Sequence, residues 1–158
     1  MPTLTSTAYD DIRIGDRAEH RHRFTQRELL LFAAASGDCN PVHLDPEFAA
    51  TTPFGEPVAH GIWSAAVISA AIGMVFPGPG SVYLGQTLEF LRPVKLGDDI
   101  HVQLEVTEKR DRRREVVLSC VVSGPSGKPV VRGEARVMAP AESISVPAPR
   151  LPEIRLAG

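Results

Sequence analysis

The stretch GIWSAAVISAAIGMVF, Gly61 to Phe76, constrains the fold more than any other part of this chain. Its apolar side chains, Ile62, Trp63, Ala65, Ala66, Val67, Ile68, Ala70, Ala71 and Ile72, point in every direction around a helix. A helix that is apolar all round has to be covered on most sides. The run is too short for a membrane span, which needs about 20 mainly apolar residues, and it carries Ser64 and Ser69. Pro77-Gly78-Pro79-Gly80 then stops it. The spacing therefore predicts a buried helix over 61–76, and the rest of the chain must supply its cover.

That cover reads as strands. Residues 99–109 alternate apolar and polar through Ile100, Val102, Leu104 and Val106, the period of a half-buried strand. Ser81–Leu91, Glu115–Ser123 and Pro129–Met138 predict three more, and residues 17–24 a fifth. The turns between them suggest hairpins in an antiparallel meander. A chain of 158 residues, 43% hydrophobic, fits one domain around one core. One helix covered by one antiparallel sheet is an α+β layer arrangement. A single sheet leaves edges, and pairing between subunits is one way to cover them, so a homodimer is expected.

Charge and motifs exclude several function classes. A net charge of −2 argues against a nucleic-acid partner, and the basic run Lys109–Arg114 is broken by Asp111 like a hairpin tip. The polar N-terminus lacks the apolar core of a secretory leader. Two cysteines, Cys39 and Cys120, make no disulfide framework, so a reducing cytoplasm is the natural compartment. Neither CxxC nor HExxH occurs, and no metal site is expected. His20 and His22 share a strand face without further ligands. Arg92 and Lys95 sit in the connection RPVKLGD, where they could meet a phosphate.

Upstream of the apolar helix, Thr25-Gln26-Arg27-Glu28 fits a capping box, and a helix is expected over 26–36 with Gly37 as its stop. GDCNPVHLDP follows. Asn40-Pro41 predicts extended or turn geometry, which lets Asp38 and His43 fold toward one point. Asp45-Pro46 reads as the cap and first position of another helical turn. A carboxylate and an imidazole brought to one water can act as base and acid. Hydration of a double bond needs both jobs. Gly61, at the start of the apolar helix, offers a backbone N–H to a carbonyl oxygen with no side chain in the way. Ser64 and Ser69 lie outside any G-x-S-x-G pattern, so a serine nucleophile is not expected.

The segment FAAASGDCNPVHLDPEFAATTPFGEPVAHGIWSAAVISAAIG, followed by GSVYLGQTLEFLRPVKLGD, resembles the MaoC-like (R)-specific enoyl-CoA hydratases. The similarity runs from about Tyr9 to Ala139. It implies a hot-dog fold, a long central helix wrapped by an antiparallel sheet and paired with a second copy. It implies an enoyl-CoA thioester substrate and no cofactor, with Asp38 and His43 as the catalytic pair and Gly61 as donor to the thioester oxygen. Asn40 would shape the loop and Ser69 would support the site. Trp63 stands where many members have a smaller aliphatic residue, and it would shorten the acyl tunnel if it lines it.

The sequence is especially similar to the N-terminal domain of bifunctional enoyl-CoA hydratase/phosphate acetyltransferase proteins. Residues 1–139 would then be the hydratase domain and the proline-rich 140–158 a tail or linker stub; the acyltransferase activity is not carried over. Two other readings remain at this point: a hot-dog acyl-CoA thioesterase and a non-catalytic acyl-CoA-binding module. The Asp-x-Asn-Pro-x-His loop favours hydration.

Overall fold

The computed structural model describes residues 2–157. Strand β1 (Thr3–Thr5) precedes β2 (Arg17–Arg23), then come α1 (Gln26–Ser36), α2 (Pro41–Leu44), α3 (Pro46–Ala50) and α4 (Trp63–Met74). Strands β3 (Val82–Gln86), β4 (Glu89–Phe90), β5 (Asp99–Arg110), β6 (Glu115–Ser123), β7 (Pro129–Met138) and β8 (Ser145–Pro147) follow. The main sheet is antiparallel with order β2-β5-β6-β7-β3, and β4 pairs with β7. The α+β, hot-dog architecture expected from the sequence is therefore present.

Alternation along β5 and β6 builds the floor of the core. Ile100, Val102, Leu104 and Val106 face inward with Val116, Leu118, Cys120 and Val122, each at most 2% exposed. Helix α4 lies on this floor through Trp63, Val67, Ile68, Ala71 and Ile72. Complete burial of a side chain of this size contributes about 1.5–3 kcal/mol, so this layer dominates the stability.

Four expectations need correction. The apolar helix begins at Trp63, not Gly61, because residues 60–62 form a turn whose carbonyls accept from the N–H groups of Trp63, Ser64 and Ala65. It ends at Met74. It is covered on one face only: Ile62 is 54% and Met74 50% exposed, and Ala66, Ser69 and Gly73 share that open side. The strand expected over 81–91 is split into β3 and β4. The interruption brings the Thr87 carbonyl so close to Gly133 that a Cβ there would lie 1.8 Å from it.

The basic cluster does form the β5–β6 tip. Two of its charges are occupied within the fold: Lys109 bonds the carbonyls of Tyr9 and Ile12, and Arg110 bonds Glu108 and Glu115. The tail is extended, and its β8 segment pairs with β1.

Candidate active site

The site is built where α1 ends. The capping box forms: Thr25 Oγ1 accepts from Glu28 N–H at 3.3 Å, and the Glu28 carboxylate accepts from Thr25 N–H at 3.0 Å. Gly37 closes the helix at φ 77°, in the left-handed region glycine enters at low cost. The chain then turns by short side-chain bonds. Asp38 Oδ1 accepts from Asn40 N–H at 3.1 Å, and Asn40 Oδ1 accepts from Val42 N–H at 3.1 Å. Pro41 thus opens a short helix, where extended or turn geometry had been expected. Its fixed φ suits the first helical position, and the restriction it imposes falls on Asn40, at ψ 129°. Asp45 caps α3 by accepting from Glu47 and Phe48 N–H.

Helix α2 carries His43, which is 9% exposed. The Val58 carbonyl accepts from His43 Nδ1–H at 2.8 Å. A carbonyl can only accept, so in the neutral ring Nε2 keeps its lone pair. That atom lies 3.9 Å from Asp38 Oδ2, too far for a direct bond and suited to one bridging water. The partner that holds this pair is His60. Its ring stacks on His43 with centroids 3.8 Å apart, and its Nε2–H donates to the Asp38 backbone carbonyl at 2.8 Å.

These groups border a cleft of about 320 Å³. His43, His60, Gly61 and Ser64 line one side, and Phe54, Phe90 and Val131 are among the apolar residues opposite and around them. Gly61 is exposed, and its N–H has no acceptor among the described residues. The Phe90 ring from β4 packs over it, 3.3 Å from where a Cβ would stand. A carbonyl oxygen at Gly61 N–H would therefore be sandwiched in apolar surroundings, where a hydrogen bond to developing charge is strongest.

The structure thus brings Asp38, His43 and Gly61 together, with Asn40 capping the helix that carries His43. Arg92 lines the cleft and bonds the Pro129 carbonyl. Three expected residues lie elsewhere. Trp63 does not line the cleft; it turns into the core against Phe24, with ring centroids 4.4 Å apart, and against His22. Lys95 is 2.7 Å from Glu56 and outside the cleft. Ser69 sits on the open face of α4. His22 pairs with Glu28.

Two further residues belong to the site: His60 lines the cleft beside Gly61, and Ser64, rather than Ser69, reaches it. Asp38, His43 and His60 place three ligand atoms within 4.8 Å of one another, a spacing that suits a divalent cation. His60 Nε2 is already a donor to Asp38, though, and moving its proton would put an N–H at Nδ1, which is buried without a partner. Burial pushes the Cys120 thiol up to about 11, so it offers no nucleophile at neutral pH.

The MaoC like domain family matches residues 13–123. The 3-hydroxybutyryl-CoA dehydratase of Methylorubrum extorquens is 40% identical over 140 residues, 89% of this chain and 88% of that protein. The (R)-specific enoyl-CoA hydratase of Aeromonas caviae is 42% identical over 129 residues, 82% of this chain and 96% of its own. Among solved structures, the unliganded R-hydratase PhaJ1 from Pseudomonas aeruginosa superposes with a TM-score of 0.94 at 51% identity. That match covers 99% of this chain and 100% of the other.

Proposed function

The chain belongs to the MaoC-like domain family, and from that membership we propose that it is an (R)-specific enoyl-CoA hydratase. It is a hydro-lyase that adds water across the double bond of a trans-2-enoyl-CoA to give an (R)-3-hydroxyacyl-CoA. The observation that carries the reading is that His43 and Gly61 line one cleft while Asp38 Oδ2 stands 3.9 Å from His43 Nε2.

With His43 Nδ1–H held by Val58, both Asp38 Oδ2 and His43 Nε2 face a bridging water as acceptors. The water oxygen forms its bond to the β-carbon as one of its O–H bonds breaks toward this pair. The π electrons move to the α-carbon and the thioester oxygen, and Gly61 N–H stabilises that oxygen as its charge grows. The α-carbon then takes a proton back from the same pair. Hydroxyl and proton arrive from one side, which is syn addition. The two groups act on one proton.

The same reading includes a homodimer. The open face of α4 and the terminal position of β3 in the sheet order support it, since Ile62, Val82 and Tyr83 would otherwise stay in water. Arg92 at the cleft edge suits a phosphate of the CoA carrier. No helix among the described residues is long and apolar enough to cross a membrane. The free cysteines support a reducing cytoplasm. The similarity to bifunctional proteins is read as a hydratase similarity, and no acyltransferase activity is proposed.

The test is incubation with crotonyl-CoA. Hydration removes the enoyl absorbance, releases no free thiol and yields the (R) isomer on chiral analysis. Thiol release without hydroxyacyl product would mark a thioesterase and overturn the reading.

A further inference from the structure

Ser64 stands in the first turn of α4 and is 2% exposed, yet it forms part of the cleft wall beside Gly61. A helical serine commonly returns its hydroxyl to the carbonyl four residues earlier. Ser36 does so, donating to the Phe32 carbonyl at 2.7 Å. Ser64 does not: the His60 carbonyl accepts from Trp63 N–H instead, and Ser64 Oγ has no hydrogen-bond partner among the described residues. His60 Nδ1, on the same wall, is buried without a partner. The fold therefore leaves a hydroxyl donor unused at the surface of a cleft wall that is otherwise largely apolar.

We propose that Ser64 is a second hydrogen-bond donor to the thioester oxygen, acting beside Gly61 N–H. The inference rests on the hydratase reading. Gly61 and Ser64 both line the cleft, and the Gly61 carbonyl accepts from Ser64 N–H at 3.2 Å, so the two donors are neighbours on one wall. An unsubstituted enoyl chain brings one polar acceptor into the cleft, the thioester oxygen. A lone hydroxyl among Val58, Val131, Phe54 and Phe90 has no other oxygen of such a substrate to meet. The Ser64 proton is shared with the growing oxyanion and is not transferred. It returns fully to Ser64 when the α-carbon is protonated.

Ser64→Ala tests this with crotonyl-CoA and with 2-octenoyl-CoA. The expected result is a kcat lower by about 100-fold on both substrates, the cost of removing one oxyanion donor. The shape of the pH profile is kept, and Tm is not lowered, because alanine leaves no hydroxyl unpartnered. Bound 2,4-hexadienoyl-CoA, whose absorbance moves to the red when its carbonyl is polarised, should shift less in the variant than in the wild type. Full crotonyl-CoA turnover in Ser64→Ala overturns the inference and leaves the hydratase reading standing. A loss matched by a fall in Tm overturns it in favour of a packing role. A loss confined to octenoyl-CoA overturns it in favour of a contact with the acyl chain. A wild type that hydrates nothing removes the hydratase reading and this donor role together.

Discussion

The β5–β7 meander and the segment from Gly37 to Ile62 satisfy their backbone polar groups in different ways. In the meander each strand answers the next, residue by residue, and the side chains are free to build the core. In the segment, side chains do the answering: Asp38 for Asn40, Asn40 for Val42, Asp45 for Glu47 and Phe48, His43 for Val58 and His60 for Asp38. The sheet stores stability in many equivalent contacts. The segment stores placement in a few bonds that have no duplicates. Damage to the sheet should therefore appear first in melting, and damage to the segment first in turnover.

Five substitutions probe that contrast. The largest effect belongs to Asp38→Asn and His43→Ala, which should lower kcat/KM for crotonyl-CoA by about 10³-fold. Asp38→Asn keeps an oxygen for Asn40 N–H, so its Tm should stay near that of the wild type. A similar Tm with unchanged turnover would dissolve the distinction between the regions.

Leu118→Ala, at a fully buried position of β6, should cost about 3 kcal/mol of stability, read by denaturant titration, with kcat per folded molecule retained. Asn40→Ala should cost about 1 kcal/mol as a lost helix cap and lower kcat at the same time, because α2 carries His43. A stability loss with no change in rate would show that α2 holds His43 without its cap.

The smallest effect concerns pH. Burial, and His22 beside it, hold the His20 pKa below its ordinary value of about 6.5. The folded chain takes up that proton less readily than the unfolded chain. The stability linked to it is complete above the ordinary histidine range and is lost as pH falls toward the lowered value. His20→Gln should slightly flatten the decline of Tm between neutral and mildly acidic pH.

The meander was legible because alternation survives without tertiary context, and β6 and β7 fall where the pattern put them. Helix α1 was legible from its capping box. Helix α2 was not, since four residues are too few to show a period, and its cap comes from an asparagine that reads equally well as a turn residue. The split between β3 and β4 depends on Gly133, far along the chain and across the sheet. The faces of α4 were hidden by its uniform apolarity. With no polar stripe to orient it, Trp63 and Ser64 could not be assigned to core or cleft, and their places are the reverse of what side-chain size suggested. The role of His60 carries no local sequence signal, because its partner, Asp38, is 22 residues away.

That last bond fixes how the protein must lose activity on warming. The imidazole of His60 stands next to Gly61 and grips the main chain of Asp38, so the water site and the oxyanion site belong to one rigid piece. Neither can drift while the other stays in register. Local opening of the segment should then remove both in one event, read as a single shoulder of inactivation ahead of global unfolding instead of a gradual decline. Reaction geometry in this fold is braced by a histidine whose donor N–H is spent on the main chain.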